Sequence, residues 1–116
     1  MPVSYQHLFI NYQIRDTASH DSAIAEWQEN APLTIYIRNT HDQAITVQIK
    51  GNSQKTTLGS VNIGDAITVS ANSEESRTLT ADTSGWLPYI YATVTASTAP
   101  TTGEINITAI TITEEQ

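Results

Sequence analysis

Three histidines, His7, His20 and His41, have the widest chemical range in this 116-residue chain. His20 and Asp21 lie close behind Asp16, and His41 adjoins Asp42. An imidazole among carboxylates is the donor set of a hard-cation or mixed nitrogen–oxygen metal site. Neither cluster has a recognised metal-loop spacing, so both are expected to be turn residues that bond their own backbone in water. Paired carboxylates could serve glycoside hydrolysis. The candidates Glu26, Glu29, Glu74, Glu75 and Asp82 fall in polar stretches, where carboxylates face solvent. The chain has no G-x-S-x-G elbow, no phosphate-cradling glycine loop and no H-E-x-x-H. It also has no cysteine, which removes disulfides, thiolate metal sites and thiol nucleophiles. The expectation is a protein that is not an enzyme, with no catalytic residue, cofactor or metal.

Aromatic residues offer a different chemistry. Tyr89 and Tyr91 are two apart on one strand, so their rings point the same way about 7 Å from each other. Tyr36 is on the outward side of its own strand. Such rings could stack on sugars, with Trp27 as a further contributor. The competing reading has them covering the protein's own surface or meeting a neighbouring subunit. Trp86, directly before Leu87-Pro88, reads as a core anchor rather than a ligand platform.

The elements that position these residues are strands. Residues 86–113 alternate with period two. Ile90, Ala92, Val94 and Ala96 share one face, and Tyr89, Tyr91, Thr93 and Thr95 share the other. Ile105, Ile107 and Ala109 alternate after a Pro-Thr-Thr-Gly turn. The phase then slips to Ile110 and Ile112. A bulge near Ala109-Ile110 would restore it and is the favoured reading; alternatively both isoleucines face away from the core and pack on another subunit. Residues 4–15 form a first strand with Leu8, Ile10, Tyr12 and Ile14 inward and Phe9 on the polar side. Residues 16–31 lack a strand pattern and admit a helical turn at 22–26 capped by Asp21 or Ser22. Residues 33–38 and 44–50 are strands. Short strands are expected near Leu58–Ile63, at Ile67–Val69 and around Leu79, with turns at 39–42, 51–54, 71–75 and 82–85. The core then comprises Leu8, Ile10, Ile14, Leu33, Ile35, Ile37, Ile45, Val47, Ile49, Val69, Ile90, Val94, Ile105 and Ile107.

Composition narrows the function classes. The net charge is −7, and the five cations are scattered, which argues against nucleic acid and against an anionic membrane surface. No apolar run reaches membrane-spanning length. The first residues lack the pattern of a signal peptide, so synthesis in a cytoplasm without exit by the general secretory route is expected. Only 15% of residues are charged, and threonine is abundant. A neutral polar surface of this kind is associated with extracellular and virion proteins. Asn106-Ile107-Thr108 fits a glycosylation sequon but lies within a strand, so no glycan is expected there.

Two segments carry a resemblance. Residues 35–51, IYIRNTHDQAITVQIKG, resemble the strand–turn–strand of immunoglobulin-like modules. Residues 86–103, with the alternating strand after them, resemble the closing hairpin of small sandwich proteins in bacteriophage and archaeal-virus particles. The resemblance implies an all-β, immunoglobulin-like antiparallel β-sandwich of about seven to nine strands, in one domain over residues 1–116. It also implies a non-enzymatic structural role in a virion, as a capsid decoration, cement or tail-associated subunit, with synthesis in a host cytoplasm and the virion as the final location. The expected partners are copies of itself and a major capsid or tail protein. A host glycan is the alternative ligand, through a carbohydrate-binding or adhesin surface. The candidate interface or ligand residues are Phe9, Trp27, Tyr36, Tyr89, Tyr91, Ile110 and Ile112.

Overall fold

The computed structural model describes residues 3–28, 31–81 and 85–112. Ten strands make two antiparallel sheets: β1 (Val3–Tyr12), β2 (His20–Asp21), β3 (Ala25–Glu26), β4 (Leu33–Asn39), β5 (Ile45–Asn52), β6 (Val61–Asn62), β7 (Ile67–Val69), β8 (Ser73–Leu79), β9 (Tyr89–Thr95) and β10 (Ile105–Ile112). The first sheet has the order β1-β10-β4-β8. In the second, β9 and β5 are central, with β2 and β3 on the outer edge of β9 and β6 and β7 on the outer edge of β5. This is the all-β sandwich that the strand pattern implied.

The strand order has a simple rule. When β2 with β3 and β6 with β7 are each taken as one broken strand, eight strand positions remain. The pairs are first with last, second with seventh, third with sixth and fourth with fifth. The chain is thus one long antiparallel ribbon rolled into a two-layer sandwich, the double-Greek-key order of a jelly roll. It differs in this detail from an immunoglobulin sandwich, whose sheets hold strands A, B, E, D and C, F, G.

Period-two burial drives the layering. In β4, Leu33, Ile35, Ile37 and Asn39 are buried, while Tyr36 and Arg38 are exposed. In β5, Ile45, Val47 and Ile49 face inward, and in β9 Ile90, Ala92 and Val94 do so. Branched side chains suit this pleated, half-buried position. Each fully buried isoleucine or valine contributes roughly 1.5–3 kcal/mol relative to exposure.

Several local expectations are corrected. Ile10 is not core: it is 66% exposed, while Leu8 and Phe9 are both buried. The cause is irregular pairing in β1, where the register on β10 shifts between His7 and Phe9 and again between Phe9 and Tyr12. The second shift accompanies Asn11 at φ 48°, a left-handed conformation that asparagine tolerates better than most residues. The bulge expected in β10 is therefore in its neighbour. β10 itself pairs β4 without interruption from Ile105 to Thr111, so Ala109 and Thr111 are buried and Ile110 is on the other side. Residues 22–26 form no helical turn. Ala25-Glu26 is a strand paired to Ile90 and Tyr89, because β9 would otherwise expose an unpaired edge. β8 begins at Ser73, inside the expected turn, and its partner register runs in full from Leu33–Leu79 to Asn39–Ser73. As an edge strand it carries Glu74, Glu75 and Arg77 in place of an apolar alternation.

Candidate functional site

The two histidine clusters turn out to be unlike each other. His41 is fully buried. The Ile14 N–H donates to His41 Nε2 at 3.1 Å, so that nitrogen is unprotonated and Nδ1 carries the hydrogen. Nδ1–H then donates to Asn39 Oδ1 at 2.9 Å. Asn39 Nδ2 in turn donates to the carbonyls of Gln43, Val69 and Ser70. Burial holds His41 below its ordinary pKa of 6.5, with the nearby Arg15 charge adding to the effect. The group is a neutral staple that binds the end of β1, the β4–β5 turn and the β7–β8 turn. The bland reading of His41 as a solvated turn residue is overturned, since the ring seals the core. Beside it, Asp42 accepts from the Thr101 hydroxyl and from the Thr101 N–H, which lower its pKa.

His20 lies in a short relay. Its Nε2 is 2.7 Å from Asp16 Oδ1, and its Nδ1 is 2.9 Å from the Tyr12 hydroxyl. The hydrogen bond from His20 holds the Asp16 carboxyl below its ordinary value. Hydroxyl, imidazole and carboxylate in this order are the parts of an activated nucleophile. Here the phenol ring stacks at 4.7 Å on the buried Phe9 and meets His20 edge-on. None of the three side chains borders the cavity described below. The relay fastens the β1–β2 connection. Among the described residues no group of three His, Cys, Asp or Glu side chains converges to hold a metal ion. Glu29 and Asp82 fall outside the described residues.

The tyrosine row is corrected. Tyr91 points to the outward side of β9 but is only 3% exposed, and Trp27 is 1% exposed. Phe9 is also buried, so none of these three offers a surface. Tyr36 is exposed on the outward face of the first sheet, whereas Tyr89 is half-buried on the second. They belong to opposite faces of the molecule. Ile110 is half-buried on the first sheet's outward face, and the Ile112 side chain lies outside the described residues.

Two assemblies replace that row. The first is the outward face of the first sheet. Register places Tyr5, Ile110, Thr34 and Thr78 in one row and His7, Thr108, Tyr36 and Ser76 in the next. Tyr5 is 62% exposed. Among the described residues, charges enter these rows only in the third, where Arg38 stands opposite Glu74. Sequence reading missed Tyr5, whose signal was an aromatic near the start of β1, in phase with His7 rather than with the inward Leu8.

The second assembly is a cavity of about 490 Å³ where the sheets part between β1 and β3. Trp86, Tyr89, Glu26, Gln28, Gln6 and Ser4 are among the residues that border it. One wall is fixed by the Gln6 amide. Its Nε2–H donates to the Glu26 carbonyl at 2.7 Å, and its Oε1 accepts from the Glu26 N–H at 3.0 Å. Trp27 is the pin below. Its indole N–H donates to the Ala31 carbonyl, its backbone N–H to the Pro88 carbonyl, and its own carbonyl accepts from the Trp86 indole at 2.8 Å.

No protein-family model matches the chain, and no curated protein matches it in sequence. No described helix is long and apolar enough to cross a membrane.

Proposed function

We propose that this protein is a non-enzymatic structural subunit of a virus particle, a capsid decoration or tail-associated protein that works by protein–protein contact. The observation that carries the reading is the outward face of the first sheet. Tyr5, Ile110 and Tyr36 stand there among His7, threonines and serine, and among the described residues the nearest charges are confined to one margin. A second copy of the chain is the occupant that this face fits. The protein carries a net charge of −7, and two copies repel over most of their surfaces. This face lacks the charge that would oppose a self-complementary contact about a twofold axis. Four strands spaced about 4.8 Å apart and seven residues rising about 3.3 Å each give roughly 450 Å² per subunit with side-chain margins. Two such faces approach the ~1,000 Å² of a small specific interface. Remaining edges would meet a shell protein.

The jelly-roll order is compatible with the role, since capsid proteins use it, although lectins do too and fold alone decides no function. The experiment is an antibody probe of gradient-purified virus particles from cells that make this chain. Co-sedimentation with the capsid at fixed stoichiometry is expected. Particles that form and infect without the chain would overturn the reading.

A further inference from the structure

We propose that the cavity between β1 and β3 is a binding site for an uncharged saccharide. This goes beyond the assembly role and uses a different surface. Four observations carry it. The volume of about 490 Å³ lies within the usual range for small-ligand sites, ~300–1,000 Å³. Two half-buried rings border it, Trp86 and Tyr89, and ring faces of this kind stack on the C–H side of a sugar. Glu26 stands directly across from Tyr89 in the β3–β9 register, so a carboxylate lies next to a ring. The Gln28 amide and the Ser4 hydroxyl also border the space. Together these groups present acceptors and donors for vicinal hydroxyls beside an aromatic platform.

The same lining discriminates against other ligands. Among the described residues Glu26 is the only charged one bordering the cavity, and its carboxylate disfavours phosphates and other anions. A quaternary ammonium would favour the carboxylate and rings. The amide and hydroxyl lining favours a hydroxyl-rich ligand over it. The cavity is also held open by bonds that a ligand need not break. The Gln6 amide is locked on the Glu26 backbone, and the Trp86 indole N–H is locked on the Trp27 carbonyl. That pre-organisation leaves the Glu26 carboxylate and Gln28 amide as the polar groups that meet ligand.

The test is a tryptophan-fluorescence titration of the full chain with uncharged hexasaccharides of glucose, mannose, xylose and galactose. At least one should give a saturable change. Tyr89→Ala and Glu26→Gln should each weaken it about tenfold. Tyr36→Ala, on the other sheet's outward face, should leave it unchanged. Glu26→Gln alters only an exposed side chain, so it keeps the test valid if Tyr89→Ala folds poorly. No response to any of the four sugars would overturn the proposal. Affinity unchanged from the unaltered protein in both the Glu26 and Tyr89 variants would overturn it as well. So would a response to tetramethylammonium chloride with none to the sugars.

Discussion

The two sheets share one core and have different outsides. On the first sheet, the outward positions of β1, β10 and β4 include Tyr5, Ile110 and Tyr36. On the second, the corresponding positions of β5, β7 and β9 are mostly Thr46, Gln48, Lys50, Thr68, Thr93 and Thr95; of its two outward rings Tyr91 is buried and Tyr89 half-buried beside the cavity, and the exposed apolar side chain is Val61 on the short edge strand β6. Inward positions of the central strands on both sheets are mostly apolar, as any sandwich requires. Stability therefore cannot account for the contrast, because either kind of outward face would leave the core intact. A sheet that only needs water outside carries threonine and glutamine. The sheet that leaves two rings exposed beside a half-buried isoleucine is the one prepared for a partner.

The largest effect should come from charging the first face. Tyr5→Lys with Ile110→Lys places four lysines in a twofold contact and should weaken self-association about a thousandfold in sedimentation velocity. The matched pair Thr46→Lys with Thr95→Lys on the second face should leave association unchanged. Equal effects from both pairs would erase the contrast between the faces.

Next comes His41→Ala, which acts on the core beneath both. It leaves the Ile14 N–H without its partner, takes the ring donor from Asn39 Oδ1 and opens a void, at a cost of about 2–4 kcal/mol in urea unfolding. His20→Ala, at a half-buried surface relay, should cost about 1 kcal/mol or less. A His41 loss no larger than the His20 loss would show that the buried network is not what closes that end.

A smaller effect is pH-dependent. His41 has a folded pKa below its unfolded value of 6.5, so folding stability is complete above pH 6.5 and declines as pH falls below it. The melting temperature should drop on acidification from pH 7 through this window, and His41→Gln should flatten the drop. Asp16 and Asp42 are lowered from 3.8, so their contributions persist above that value and fade only in stronger acid. Asp42→Asn should give the smallest change, a slight fall in melting temperature near neutrality that vanishes in strong acid.

Much of the sandwich was legible because period-two alternation is direct evidence of a half-buried strand. Ile35, Val47, Ile90 and Ile105 all sit where the pattern put them. The losses have separate physical causes. β1 carries two register shifts, which moved Phe9 inward and Ile10 outward, and no local pattern marks a bulge. β8 is a charged edge strand, so its function of refusing further pairing hid its identity. β2 and β3 are two-residue strands that exist only because β9 needs a partner. The cavity was illegible for a related reason. Its rings and polar groups come from β1, β3, β9 and the segment before β9, which only tertiary folding brings together. Trp86 packs against the core, as its reading as an anchor expected, and only its second place beside the cavity was hidden; Tyr36 and Tyr89 were grouped because sequence alone does not say which sheet a strand joins.

The most direct test is the molar mass of the purified protein by light scattering across a concentration series. With an uncovered, nearly charge-free first face, a discrete oligomer built on twofold contacts should form as concentration rises, and Tyr5→Lys with Ile110→Lys should return it to monomer. A monomer at every concentration, or an oligomer indifferent to that double substitution, would contradict assembly through this face.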